Sequence, residues 1–398
     1  MKVACVFGTR PEIVKLSPVI EELQRAGEEL LLVHTGQHYD YEMSEVFIRE
    51  LGIPRPDYHL GVGSGKPGRR FARIVNGLEG VLEREKPDIV LVQGDTDTVP
   101  ASLLAARRIG ISGGHIEAGL RSFNQESPEE LNRRVAAQLA LIHFAPTELN
   151  RKFLLAEGVD PSRVFVTGNT IVDVVRRMRK FIRRDILERL RVEGEGPVLL
   201  VTAHRPGNVD RRERLESIFR ALLELREFRV VFPMHPRTRK RAEEFGLMRT
   251  LTSAGHIRVT EPLGYVDFLS LMAASDVVLT DSGGLQEEAC ELKKPAVVMR
   301  ETTPRWEAII HGFAFLAGTD ERRIVRAVRG CLSDDLLERI RRSRNPFGDG
   351  RAGRRIVGIL RRLGGDLRYR EPDQREAERI LRRIREIYEG QGRPLRHR

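Results

Sequence analysis

Strand-like runs recur along the chain at residues 3–7, 29–35, 89–92, 111–116, 164–167, 198–201, 229–232, 257–260, 277–279 and 296–299. Half of them, 3–7, 89–92, 198–201, 277–279 and 296–299, are continuously apolar, the pattern of strands buried on both faces of a parallel sheet. Between them apolar residues fall at helical spacing. Ile13, Leu16, Ile20 and Leu23 form one such stripe, which stops at Gly27. Further helices are expected over 42–51, over 69–85, and from Pro128 through the apolar run 135–142, with Glu129 in the first turn. Strands alternating with helices predict an α/β chain with parallel sheets. A long arginine-rich helix is expected over 171–191, and Gly194-Glu195-Gly196-Pro197 breaks it before a second alternation begins. The expected organisation is a first domain over 1–175, a second over 176–363 whose last helix is able to cross back, and a charged helical tail over 364–398. In the tail, Ile380, Leu381, Ile384 and Ile387 share one face of an amphipathic helix.

Polar residues gather where the strands end, which is where open parallel sheets bind ligands. The first strand runs into Gly8-Thr9-Arg10-Pro11-Glu12, a glycine turn and helix start suited to phosphate, with Lys15 one turn on. It lacks Gly-x-Gly-x-x-Gly and the Walker pattern, so neither a dinucleotide fold nor a P-loop is supported. The strand from 89 ends in Gln93-Gly94-Asp95-Thr96, and the strand from 111 ends at Glu117. Arg121 and Arg133 accompany Glu117 and Glu129, a grouping that suits acid-base work on a substrate whose negative charge the arginines hold. In the second half one strand delivers Thr202-Ala203-His204-Arg205. Another delivers Asp281-Ser282-Gly283-Gly284, with Glu288 one helical turn beyond, and Arg305 follows the last strand. Ser282, Gly283 and Gly284 form a second candidate phosphate cradle.

Charge sharpens this picture without deciding it. The 398 residues carry a formal net charge of +11, mostly arginine, which fits a polyanionic partner. Aromatic residues are only 6%, and no stacking platform marks the tail for nucleic acid. Three cysteines, Cys5, Cys290 and Cys331, without a Cys-x-x-Cys spacing, point to a reducing compartment. No apolar run reaches transmembrane length, so a cytoplasmic protein without a membrane span is expected. No clustered metal-ligand spacing is present, and neither a metal nor a cofactor is expected.

Taken together, the motifs from Gly8 to Glu12, Gln93 to Thr96, Gly114 to Arg121, Pro128 to Arg133, Thr202 to Arg205 and Asp281 to Ala289 closely resemble those of the non-hydrolysing UDP-N-acetylglucosamine 2-epimerases. The resemblance implies two Rossmann-like domains facing a cleft, a glycosyltransferase-B-like fold, and a homodimer acting on a UDP-sugar. It also implies reversible C2 epimerisation to UDP-N-acetylmannosamine, by elimination of UDP through 2-acetamidoglucal and re-addition. On that match Asp95, Glu117, Glu129 and His204 are the catalytic residues. Arg10, Lys15, Arg133, Ser282, Gly283, Gly284, Glu288 and Arg305 match nucleotide and diphosphate contacts, and Leu263 and Phe268 match the uracil pocket. The chain departs from the common pattern at Pro206-Gly207, at Ala136-Ala137-Gln138, at Trp306 and at Gln37-His38-Tyr39, which bears on sugar specificity and on any effector site. The alternatives are a 2-epimerase of a diacetamido uronate, a hydrolysing epimerase, a glycosyltransferase of the same fold, and a UDP-sugar-binding regulator without catalysis.

Overall fold

The computed structural model describes residues 1–36, 52–364, 367–369 and 373–388. The helix expected over 42–51 and the Gln37-to-Tyr41 segment lie outside these described residues. Two compact units form, Met1–Thr170 with Gly348–Arg398, and Ile171–Phe347. The chain therefore changes unit after Thr170, where the sequence suggests 175, and the helix Ala352–Leu363 belongs with the first unit. Glycine allows that return, because a Cβ on Gly353 would stand 2.7 Å from the carbonyl oxygen of Pro18 in the helix Arg10–Arg25.

In the first unit the strands are β1 (Lys2–Phe7), β2 (Glu29–His34), β3 (Tyr58–His59), β4 (Ile89–Gln93), β5 (Ser112–Ile116), β6 (Ile142–Ala145) and β7 (Val164–Val166). They form one parallel sheet in the order β3-β2-β1-β4-β5-β6-β7. The second unit holds β8 (Val198–Thr202), β9 (Arg229–Pro233), β10 (Ile257–Thr260), β11 (Val277–Thr280), β12 (Ala296–Val298) and β13 (Ala314–Leu316). Its parallel order is β10-β9-β8-β11-β12-β13. In each sheet the winding direction reverses once, between β1 and β4 and between β8 and β11, which leaves a crevice at the carboxyl ends of those strands.

The apolar runs form these strands because both faces are covered. Ala4, Val6, Val90 and Val92 pack with Leu78 and Leu82 of the helix Pro67–Glu85 and with Val99 and Leu103 of the helix Thr98–Arg108. Each such buried valine or leucine contributes about 1.5–3 kcal/mol. Strands β3, β6 and β13 are not among those read from the sequence. For β6 the helix from Pro128 stops at Leu139, and the Leu141 N–H donates to Gly113 O at 2.8 Å, so the last part of the 135–142 run turns into the sheet.

The single helix expected over 171–191 is broken into Thr170–Met178, a 3₁₀ turn Arg179–Phe181 and a short helix Ile186–Arg189. Tertiary partners override its local propensity. The Arg183 N–H donates to Ser270 Oγ at 2.9 Å, and Arg176 Nε bonds Glu291 Oε1 at 2.9 Å. The tail helix runs Gln374–Tyr388, with Ile380, Leu381 and Ile384 exposed.

Three buried histidines make the first unit acid-sensitive. Burial lowers His34 and His115 to about 4 and His143 to about 3, with His59 stacked on His34 at 4.8 Å adding to the effect there. The unfolded imidazole titrates near ~6.5, so between that pH and about 4 the unfolded chain holds more protons. The stabilisation is thus complete above about 6.5 and is lost as pH falls towards 4, about 2 kcal/mol for each histidine at pH 5. Glu12 runs the other way, since burial raises its carboxyl to about 7. It offsets about one histidine, leaving an expected net loss of about 4 kcal/mol between pH 7 and pH 5 in urea denaturation. Equal stability at the two pH values would mean that the folded protein protonates these rings freely.

Candidate active site

At the carboxyl edge of the first sheet, the helix Arg10–Arg25 that follows β1 brings in Arg10 as its first residue and Lys15 one turn later. The turn after β4 carries Asp95, and the residue after β5 is Glu117. Strand β5 stops abruptly. Glu117 has φ +68 and Gly119 has φ +85. A left-handed glutamate is uncommon and costs backbone energy, a cost often found at functional positions. Gly119 is required sterically as well, because a Cβ there would meet Asn150 O at 2.4 Å.

The Lys15 ammonium lies 2.7 Å from Glu117 Oε2, both side chains buried, and Gln93 Nε2 also donates to that carboxylate. Asp95 Oδ2 accepts from Arg133 Nε at 3.0 Å and Nη2 at 2.6 Å, while Arg133 Nη1 reaches Glu130 Oε2 at 2.8 Å. Asn132 Nδ2 holds the Asp95 carbonyl at 3.0 Å. Glu129 is half-buried in the first turn of Pro128–Leu139, and Ser127 Oγ donates to it. Lys15 and Arg133, expected as diphosphate contacts, are thus each joined to one of the expected catalytic carboxylates. The result is a row of carboxylates held in place by buried cations.

Arg121 departs from its expected place. Its side chain is fully buried, with Nε on Glu157 Oε1 at 2.8 Å and Nη1 on Leu120 O at 2.6 Å. It secures the loop after Glu117 against the helix that precedes Glu157, and does not line the crevice.

In the second unit His204 and Asp281 follow β8 and β11, the two strands flanking the reversal. His204 is partly exposed, and its Nδ1 lies 3.2 Å from Oδ1 of fully buried Asp281. Asp281 also accepts from the N–H groups of His204 at 3.0 Å and Arg205 at 2.9 Å. Burial works to raise the Asp281 carboxyl, but the charge of His204 and these hydrogen bonds win and hold it below its ordinary value. The carboxylate fixes the imidazole through Nδ1. Asp281 carries no assigned role in the sequence reading. The signal available was a carboxylate at the end of a fully buried strand in a chain with one histidine at the neighbouring strand end.

Ser282 stands at the N-cap position of the helix Gly283–Leu292, whose first residues are the two glycines. A Cβ on Gly283 would stand 2.7 Å from Arg305 Nη1, so only glycine admits that guanidinium. Arg305 is buried and bonds Glu287 Oε1 at 3.0 Å, so it packs behind the helix N-terminus. Glu288 is buried and accepts from Tyr265 OH at 3.1 Å. Leu263 and Phe268, both half-buried, flank the start of the helix Tyr265–Ala274. The second unit therefore brings a glycine-opened helix N-terminus, a carboxylate-backed histidine and an apolar pair to its own strand ends.

A family description, UDP-N-acetylglucosamine 2-epimerase, matches residues 21–361. The chain belongs to the UDP-N-acetylglucosamine 2-epimerase family. It is 42% identical over 368 residues to the UDP-N-acetylglucosamine 2-epimerase of Methanocaldococcus jannaschii, covering 90% of this chain and 99% of that protein. It is 37% identical to the UDP-2,3-diacetamido-2,3-dideoxy-D-glucuronate 2-epimerase of Pseudomonas aeruginosa, covering 91% of this chain and 100% of that one. Among solved structures, the M. jannaschii UDP-GlcNAc 2-epimerase in complex with UDP-GlcNAc and UDP superposes with a TM-score of 0.84 at 40% identity, covering 91% of this chain and 100% of that one. The Rossmann-like α/β fold expected from the sequence is the fold of this 2-epimerase family. Among the described residues no helix is long and apolar enough to cross a membrane, and no group of three or more His, Cys, Asp and Glu is placed to hold a metal ion.

Proposed function

We propose that this chain interconverts UDP-N-acetylglucosamine and UDP-N-acetylmannosamine at C2. The observation that carries the reading is the carboxylate row at one sheet edge, in which left-handed Glu117 is held by Lys15 and Asp95 by Arg133, in a chain of this family. The C2 proton lies next to no carbonyl, so it becomes removable only as the C1–O bond breaks and the ring gains positive charge. A carboxylate takes that proton, the C1–O electron pair leaves with UDP, and a C1–C2 double bond forms. Asp95, Glu117 and Glu129 serve proton transfer at C2 and stabilise the cationic ring. Arg10 and His204, the latter fixed by Asp281, neutralise the departing diphosphate. Ser282, Gly283 and Gly284 hold it with Arg305 behind them, and Leu263 and Phe268 take the uracil. Delivery of a proton to the opposite face of C2 and return of UDP to C1 complete the cycle. No step needs a hydride carrier. The three buried free cysteines fit a cytoplasmic protein, and a homodimer is part of the same reading on the family resemblance.

Incubation with UDP-N-acetylglucosamine in deuterated water tests this. Deuterium at C2 of the product, seen by NMR, is the expected result, because the proton passes through an exchanging carboxyl. Epimerisation with the original hydrogen kept at C2 would exclude elimination and reprotonation. The Pseudomonas relative supports a second substrate, a UDP-diacetamido uronate. Parallel incubations rank the two by kcat/KM.

A further inference from the structure

We infer that Glu12 is a positioning residue that ties the turn carrying Arg10 to the turn carrying Asp95. This rests on the reading of Arg10 and Asp95 as groups that face the substrate. Glu12 is almost fully buried at the reversal between β1 and β4. Its Oε2 accepts from the N–H groups of Gly8 at 2.8 Å and Thr9 at 2.7 Å and from Thr9 Oγ1 at 2.9 Å. Those bonds alone would describe a capping box, which stabilises a helix start and nothing more. The other oxygen takes a partner that no cap requires. Oε1 accepts from Thr96 Oγ1 at 2.6 Å, across a separation of 84 residues in sequence, and Thr96 follows Asp95 directly. Thr96 Oγ1 in turn accepts from the Thr98 N–H at 3.2 Å, so the bridge continues into the start of the helix Thr98–Arg108.

One carboxylate thus spans the two strand ends that flank the crevice, one oxygen to each. Burial pushes the group up to about 7 while the hydrogen bonds pull it down, and four donors converging on two oxygens describe its ionised form. Misplacing a reacting group by about an ångström is enough to cost up to about a hundredfold in rate. A tie between the turns that hold an arginine and a carboxylate therefore bears on turnover as well as on folding.

Thr96→Val tests the bridge, since valine keeps the branched shape and leaves the Oε2 cap untouched. The expected result is a fall in kcat of about tenfold or more, with KM within about threefold. Tm should fall by several degrees, because the buried Oε1 loses its donor, so kcat is compared well below the unfolding transitions of both proteins. Thr96→Ser should restore the rate. Glu12→Gln, which keeps an oxygen for the cap and reverses the bond to Thr96, should stay within about threefold of wild type, while Glu12→Ala should lose kcat as Thr96→Val does. Wild-type kcat in Thr96→Val, or no recovery in Thr96→Ser, overturns the inference. Amide hydrogen exchange gives a readout independent of the substrate. Thr96→Val should lose protection in peptides covering both Gly8 to Arg10 and Gly94 to Asp97, and unchanged protection in the first of them overturns the tie even if wild type proves inactive on UDP-N-acetylglucosamine. That inactivity would by itself overturn only the substrate reading.

Discussion

Glu117→Gln is expected to lower turnover by about a hundredfold or more, the scale of a lost acid-base group, while UDP affinity stays within about tenfold. The amide keeps the shape of the side chain but cannot take a proton from C2. The structure adds a second consequence. Lys15 and Glu117 are buried together with Nζ and Oε2 2.7 Å apart, so the glutamine removes one negative charge from beside a buried ammonium. Breaking one side of such a pair typically costs about 3–5 kcal/mol, because the remaining charge is desolvated and uncompensated. Stability and turnover should therefore fall together in the single variant. Lys15→Met with Glu117→Gln separates them. Most of the stability should return, since two neutral groups replace the ion pair, and the rate should not. The comparison is made by urea denaturation and by deuterium exchange at C2. Recovery of turnover in the double variant would mean that Glu117 serves only to neutralise Lys15, and the proton transfer would then fall to Asp95 or Glu129.

Arg121→Met is expected to destabilise the first unit by about 3 kcal/mol or more and to leave UDP affinity of the folded protein within about tenfold. Arg121 is among the largest fully buried side chains, and its guanidinium satisfies both Glu157 and the Leu120 carbonyl. Methionine fills similar volume but leaves Glu157 facing a buried thioether, with Arg134 Nη1 3.6 Å away as its other charged neighbour. The loop from Glu117 to Arg121 would lose the bond that holds it, so catalysis should fall through disorder of Glu117. Chemical denaturation gives the stability, and titration with UDP under native conditions gives the affinity. A variant with native stability and strongly weakened UDP binding would show that Arg121 holds the substrate charge, as its position in the motif first suggests.

Hydrophobic periodicity by itself determined the α/β class, ten of the strand positions and some of the covering helices, Arg10–Arg25 and Pro67–Glu85 among them but not Thr98–Arg108. Both-face burial in a parallel sheet demands continuous apolar runs, and that demand is written locally. It also placed the chemistry at strand ends, because polar residues following a buried strand have only the sheet edge to occupy. The strand Tyr58–His59 was illegible, since two residues carry no period. The helix expected over 171–191 failed for a related reason. Its propensity is real, but Ser270 and Glu291 compete for the backbone and arginines, and those partners lie far along the chain.

The motifs were legible, but the division of labour inside them was not. Glu12, Arg121, Asp281 and Arg305 look in sequence like any other charged members of their motifs. Only the fold shows that all four are buried and bound to protein groups. A charged side chain's role depends on what lies across from it, and the partners of these four stand 84, 36, 76 and 18 residues away. Local pattern decides which face of an element is apolar. Which carboxylate meets a cation, and which is left facing the crevice, is decided only when strands β1, β4 and β5, and β8 and β11, come to lie side by side.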